Sequence, residues 1–200
     1  MTKDNYEDKP YYCLLSYDNS GFLQYDNKYR KTDSSYFEYG RPIVEYAYDL
    51  IFECEVSEEK MIKRDILYGI FGAPIINKRV LGILKNICPD DFQAFPALIR
   101  NAKPKAVPFE NRDYYVLNIA KSVDSVDRES SIFEIHPYKP TKISKVKKLV
   151  FKKGCMGDNH LARDKFWQRE ELISPTLMKV LKKEKVKGIS FYKDEEYSGY

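Results

Sequence analysis

The sequence has few of the residues that build metal centres and disulfide frameworks. Its 200 residues include four cysteines and two histidines. No two cysteines form a C-x-x-C pair, because they lie far apart, at Cys13, Cys54, Cys88 and Cys155. This spacing disfavours both a zinc site and a set of disulfide bonds. We therefore expect no metal and no cofactor.

Long apolar segments and glycine-rich phosphate loops are missing as well. No run approaches the roughly 18 apolar residues that a membrane span requires. The start, M-T-K-D-N-Y-E-D-K-P, lacks the apolar core of a signal peptide. The stretch G-I-F-G-A-P has neither the lysine of a Walker motif nor the glycine spacing of a dinucleotide fingerprint. We expect a cytoplasmic protein that does not enter a membrane.

The chain does contain enough apolar material for one good core. With 200 residues, 43% of them hydrophobic, it has a globular composition. We expect a single domain over residues 1–200. The Pro- and Lys-rich stretch N-A-K-P-K-A-V-P-F-E-N is typical of a surface connection. It leaves open a division into two lobes, residues 1–100 and 110–200.

The most informative pattern is a weak internal repeat. The sequence I-N-x-x-V-x-x-I-L-K, starting at Ile76, reappears 97 positions later as I-S-x-x-L-x-x-V-L-K. Asn77 and Ser174 are residue types that cap helices, and apolar residues at helical spacing follow each of them. A strand-like run closes each unit, Phe92–Ile99 in the first and Gly188–Tyr192 in the second. These units predict an α+β fold with a mostly antiparallel sheet that carries two helix-then-strand units.

The other elements are predicted from aromatic and β-branched runs and from turn residues. Tyr114–Ala120 is nearly continuous in such residues, so it should lie centrally in the sheet. Ser57 should cap a short helix whose first turn is acidic. Further strands are predicted at Tyr11–Ser16, near Ala47–Val56, at Ile132–Ile135, at Val146–Phe151 and at Lys165–Arg169, where a helix is the alternative.

A glycine-bearing loop holds the one candidate for covalent chemistry. Cys155, Asp158 and His160 lie close together there, and a thiol beside an imidazole can form a nucleophile and base pair. Residues so close along one loop seldom align in this way, and no oxyanion-hole motif accompanies them. We expect no catalytic residues in this protein.

Charge is distributed unevenly along the chain. Residues 1–59 hold 6 Lys/Arg and 13 Asp/Glu, a net charge of −7. Because the whole chain has a net charge of +4, residues 60–200 carry a net charge of +11. Residues 139–187 alone hold 15 Lys/Arg against 5 Asp/Glu. A nucleic-acid or anion-binding module that uses this basic half is therefore an alternative function. No zinc-finger spacing or aromatic RNA-binding motif supports it, so we do not expect nucleic acid to be a partner.

Four blocks, in order, resemble a known family. They are G-A-P-I-I-N-K-R-V-L-G-I-L-K, then D-D-F-Q-A-F-P, then Y-Y-V-L-N-I with V-D-S-V-D-R-E-S-S, and finally E-L-I-S-P-T-L-M-K-V-L-K with V-K-G-I-S-F. This succession, over residues 69–192, is similar to immunity protein family eleven of bacterial polymorphic toxin systems. The resemblance implies a non-catalytic protein that binds and neutralises a cognate toxin.

The acidic front of the chain is the predicted surface for that partner. Tyrosines alternate there with acids, and tyrosine gives large contact area at low entropic cost. Toxins that attack nucleic acid present a basic cleft, which an acidic surface would attract and obstruct. The residues predicted to bind the toxin are Asp33, Tyr36, Glu38, Tyr39, Glu45, Tyr46 and Asp49.

Overall fold

The computed structural model of the chain describes residues 10–15, 22–25, 35–45, 50–69, 73–101, 107–168 and 171–194. Strands dominate these ranges. They are β1 (Tyr11–Leu15), β2 (Phe22–Tyr25), β3 (Leu50–Cys54), β4 (Ile66–Gly69), β5 (Pro74–Asn77), β6 (Phe92–Asn101), β7 (Glu110–Ile119), β8 (Ser122–Val123), β9 (Ile132–His136), β10 (Lys139–Lys148), β11 (Leu161–Asp164), β12 (Glu171–Ile173) and β13 (Ile189–Tyr192). The helices are α1 (Ser35–Glu38), α2 (Glu58–Met61), α3 (Lys78–Ile87) and α4 (Pro175–Lys183).

Six strands close into a barrel in the order β2-β3-β6-β7-β5-β4. Alternate residues of each strand point inward, because successive side chains of a strand face opposite sides. Phe52 on β3, Ile99 on β6 and Val116 on β7 are thereby fully buried in one apolar cluster. Phe37 of α1 and Met61 of α2 belong to the same cluster, so both short helices help to fill the barrel.

A second sheet has five strands in the order β13-β1-β12-β11-β8. One of its faces packs with α3, α4 and the outside of the barrel in a single apolar cluster that includes Leu84, Leu117, Leu161 and Leu181. The two repeat helices therefore share one core. A small apolar cavity of about 40 Å³ lies between them.

The opposite face of the five-stranded sheet is covered by the ribbon, the two-stranded sheet of β9 and β10 that spans Ile132–Lys148. Ala162 of β11 and Leu172 of β12 contribute to this cluster from the sheet, and Val146 contributes from the ribbon. Strands β11 and β12 are thus buried on both faces.

The predicted α+β class, the mostly antiparallel pairing and both repeat units are confirmed. Asn77 Oδ1 accepts from Val80 N at 3.0 Å, and Ser174 Oγ accepts from Leu177 N at 3.1 Å, as expected for helix caps. Ser57 also stands at the N-cap of α2, although its side chain makes no cap hydrogen bond. The central strand at Tyr114–Ala120 is confirmed too, since β7 lies between β6 and β5.

Some details of the prediction were wrong. The strands form three sheets and not one. Residues 165–168 form neither strand nor helix, because Asp164 Oδ1 accepts from the backbone N–H groups of Phe166 and Trp167, each at 2.7 Å, and holds them in a turn. The strand expected at Val146–Phe151 ends at Lys148 and begins earlier, at Lys139.

The Pro- and Lys-rich connection joins two paired strands of the barrel, since β6 and β7 are antiparallel neighbours from Phe92–Ile119 to Arg100–Glu110. The barrel takes strands from both of the predicted lobes, residues 1–100 and 110–200. The single domain over residues 1–200 and its alternative division stay predictions.

Candidate functional site

Residues 35–45, called here the front segment, carry four of the residues predicted to bind the toxin. The segment begins with α1, whose Phe37 is fully buried. The Phe37 ring meets the ring of Phe95 edge to face, with centroids 5.6 Å apart. Because Phe37 belongs to the barrel core, the segment is attached at the end of the barrel where Phe95 lies.

Gly40 brings the front segment into close contact with strand β7. Its φ is +60°, a conformation that side chains with a Cβ rarely adopt. A Cβ at this position would lie 2.1 Å from the carbonyl oxygen of Ile119. The chain can therefore pass over β7 only because residue 40 is glycine.

Two amide side chains of the barrel, the half-buried Gln93 and the fully buried Asn118, hold the next part of the segment. Gln93 accepts from Ile43 N through Oε1 and donates from Nε2 to the Ile43 carbonyl, both at 2.9 Å. Asn118 Nδ2 donates to the Arg41 carbonyl at 2.8 Å and to Gln93 Oε1 at 3.0 Å. Both polar groups of residue 43 are thus satisfied by one side chain, which fixes the backbone here.

A buried arginine from the five-stranded sheet completes the anchor. Arg163 donates to the carbonyl oxygen of Phe37 at 3.4 Å and to that of Gln168 at 2.8 Å. Its NH2 group also pairs with Glu171 Oε1 at 2.9 Å. Burial raises the pKa of the Glu171 carboxyl, and the charge of Arg163 opposes that rise. The front segment is therefore tied to both the barrel and the second sheet.

The outer side of the segment presents aromatic, apolar and acidic groups. Val44 is 95% exposed and Tyr36 is 39% exposed. Glu45 is exposed, while Glu38 and Tyr39 are half-buried. The Arg41 guanidinium lies over the Tyr39 ring, 5.9 Å from its centroid.

The predicted toxin-binding residues are only partly described. Tyr36, Glu38, Tyr39 and Glu45 lie together on the front segment, whereas Asp33, Tyr46 and Asp49 fall outside the described residues. Sequence reasoning missed Val44 and the anchoring side chains of Gln93, Asn118 and Arg163. A signal for Asn118 was present, because it is a polar residue inside the apolar run Y-Y-V-L-N-I.

A comparison with protein families decides what kind of protein carries this segment. The model of the immunity protein family (Imm11) matches residues 6–196. The chain belongs to this family. The match confirms the resemblance seen in the sequence and extends it over the front segment. No curated protein matches the chain.

Two of the three candidate residues in the thiol loop of this immunity-family chain, Cys155 and His160, make contacts with other parts of the fold. Cys155 packs against the cluster beneath the ribbon, and burial raises the pKa of its thiol to about 11. His160 Nδ1 lies 2.8 Å from Ser174 Oγ, the cap of α4. The imidazole is engaged in the second repeat, and a thiol with so high a pKa is a poor nucleophile at neutral pH.

The described lysines of the basic half of this immunity-family chain lie on two sides of the five-stranded sheet. Lys145 and Lys147 are exposed on the ribbon, on one side of the five-stranded sheet. Lys182 and Lys183 are exposed on α4, on the other side. A single nucleic acid would have to contact both sides to use all of these charges, so the alternative function gains no support from their placement.

Membrane spans and metal centres are two other kinds of site to consider in the described ranges. No helix in these ranges is long and apolar enough to cross a membrane. Within the same ranges, no three side chains from His, Cys, Asp and Glu are grouped as metal ligands would be.

Proposed function

We propose that this chain binds a cognate bacterial toxin and neutralises it without catalysis. Membership of the immunity protein family supports this function. The observation that carries the choice of surface is the anchoring of the front segment, whose backbone is held by Gln93, Asn118 and Arg163. Val44, which is 95% exposed, and Tyr36, which is 39% exposed, add apolar and aromatic contact area to this anchored segment.

The anchoring favours tight binding for a physical reason. Ordering a mobile loop costs conformational free energy when a complex forms, and a loop that is already fixed avoids that cost. The front segment is held by a buried aromatic ring, a glycine contact and polar side chains from two sheets. Its outward groups are therefore presented in one arrangement before the toxin arrives.

The outward groups suit a basic partner with an apolar or aromatic contact area. Tyr36 and Val44 supply contact area, and Glu38 and Glu45 supply negative charge. We propose that Asp33, Tyr46 and Asp49 extend the same surface and add two acids and one tyrosine to it. Such a surface would attract the basic cleft of a toxin that acts on nucleic acid, and would obstruct it.

Association kinetics with the purified toxin test this surface. Glu38→Lys with Glu45→Lys should slow association by about tenfold at low salt and weaken its salt dependence, because electrostatic attraction acts mainly on the association rate. Glu55→Lys with Glu110→Lys is the matched control, since it changes the net charge equally. Glu110 begins β7 and Ile119 ends it beneath Gly40, about 30 Å away along the strand. Glu55 directly follows β3, whose Cys54 pairs with Asn101 at the same end of the barrel as the Arg100–Glu110 pair.

The two variants separate three outcomes. Slower association by the front variant alone supports the proposed surface. Equal slowing by both variants assigns the effect to net charge and removes the front segment as the contact. Parent-like association by the front variant at both ionic strengths also removes it. Circular dichroism of each variant checks that the fold is intact.

A further inference from the structure

The ribbon is built differently from the rest of the molecule. β9 and β10 pair with each other and, within the described residues, with no other strand. None of the five residues of β9 is buried. The ribbon therefore has one attached part and one part that extends past the core.

The attached part is firmly packed. Phe133 lies opposite Val146 in the register, and both face the cluster shared with the five-stranded sheet. The Phe133 ring contacts the ring of Phe166 edge to face at 5.5 Å. The guanidinium of Arg128 also lies over the Phe166 ring, 4.2 Å from its centroid. The base of the ribbon is thus a rigid support.

Beyond this base, large apolar side chains are exposed to solvent. Ile135 shares the strand face of Phe133, two residues away, yet it is 49% exposed, although its register partner Ile143 packs against the cluster. Tyr138, in the turn, is 88% exposed. Ile132 is 57% exposed on the other face. These three side chains leave apolar and aromatic surface of the ribbon open to solvent.

The ribbon is also strongly basic. Residues 132–148 contain five lysines and one glutamate, a net charge of +4, and no arginine. Lys145, Lys147 and Lys148 are exposed, and Lys147 makes a 2.9 Å surface ion pair with Glu134. Lysines on a strand edge prevent unwanted pairing, but that role requires no exposed tyrosine or isoleucine beside them.

We propose that the ribbon is a docking surface for an acidic protein partner, distinct from the toxin-facing front segment. Charge complementarity selects the acidic partner, and Ile135 and Tyr138 provide the apolar contacts that a protein surface can match. A nucleic acid would favour arginine for phosphate and base contacts, and the ribbon has none. The front segment is acidic and the ribbon basic, so the two surfaces suit partners of opposite charge.

Binding of a synthetic acidic peptide tests the proposal on the full chain. The probe is a fluorescent peptide of alternating glutamate and valine, and its counterpart carries lysine in place of glutamate. Two variants alter the ribbon, Lys145→Gln with Lys147→Gln and Ile135→Ser with Tyr138→Ser. Lys179→Gln with Lys183→Gln is the matched control, because both side chains are exposed on α4 across the sheet.

The parent should bind the acidic peptide and not its lysine counterpart. Each ribbon variant should weaken binding by about tenfold, and the α4 control should not. Three results would overturn the proposal: no binding of the acidic peptide, full binding by the Ile135→Ser, Tyr138→Ser variant, or tighter binding to duplex DNA or to phosphatidylserine vesicles. None of these results bears on toxin association, so the proposed function is tested separately.

Discussion

Substitution of Gly40 tests the anchoring of the front segment most sharply. In Gly40→Ala the residue must hold a φ of +60°, which costs about 1–2 kcal/mol for a residue with a Cβ. The new Cβ would also lie 2.1 Å from the Ile119 carbonyl oxygen, so backbone must shift. Such overpacking costs about 1–3 kcal/mol. Together we expect a loss of about 2–5 kcal/mol in the free energy of unfolding.

Substitutions of two other glycines separate the cost of the positive φ from the cost of the close contact with β7. Gly154 has a φ of +66° but nothing within 4 Å of an added Cβ, so Gly154→Ala should show only the conformational cost, about 1–2 kcal/mol. Gly82 lies in α3 with open space around it, so Gly82→Ala should stabilise the protein by about 0.5–1 kcal/mol. The order of stability should be Gly82→Ala, parent, Gly154→Ala, Gly40→Ala.

Urea denaturation followed by tryptophan fluorescence and circular dichroism measures these differences. Because Gly40→Ala displaces the front segment, it should also weaken toxin binding. This binding is measured without urea, where the variant remains folded. If Gly40→Ala and Gly154→Ala destabilise equally, the close contact with β7 contributes nothing and the anchoring argument fails. Unchanged toxin binding by a destabilised Gly40→Ala would separate the segment from the function.

Three further outcomes are expected. Leu84→Asp and Leu181→Asp should each cost about 3 kcal/mol or more, because both leucines are 3% exposed in the core shared by the repeat helices; parent-like thermal melts would refute that core. Burial alone would raise the pKa of Asp65, but hydrogen bonds, the largest from Arg79, lower it. The ionised Asp65 carboxylate therefore stabilises the fold at pH values above its unfolded-state pKa, and this stabilisation is lost as the pH falls through its lower folded-state pKa. In a pH series, the free energy of unfolding of Asp65→Asn should therefore fall less at acid pH than that of the parent. Cys155→Ser should leave protection against the toxin intact, and the parent thiol, with its pKa raised to about 11, should react slowly with iodoacetamide at pH 8.

Local structure followed from the sequence where the cause was local. The caps at Asn77 and Ser174 and the apolar spacing after them depend on neighbours within one turn, so the pattern was enough to predict α3 and α4. The strand at Tyr114–Ala120 was evident because a buried strand is apolar on both faces.

The barrel depends on pairings between distant segments, which periodicity does not encode. β3 pairs in parallel with β6, and β2 pairs in parallel with β4. β4 and β5 are only four residues long, too short for a clear alternating pattern. One sheet was therefore predicted where the described strands form three.

The anchors of the candidate site were hidden for a related reason. The sequence suggested acids and tyrosines as a surface, but it could not show what holds them. Gln93, Asn118 and Arg163 lie 50 to 126 positions from the front-segment residues whose backbone they bind. Only the fold brings such residues together, since no sequence pattern indicates which distant residue a polar side chain in a strand will bind.

Growth of bacterial cells that express the proposed cognate toxin is the most direct test of the central claim. The parent chain should restore growth, and so should the Glu55→Lys, Glu110→Lys control at the same expression level. The Glu38→Lys, Glu45→Lys variant should protect cells less, because toxin capture is slower. Failure of the parent to protect would contradict the proposed function, and full protection by the front variant would contradict the proposed surface.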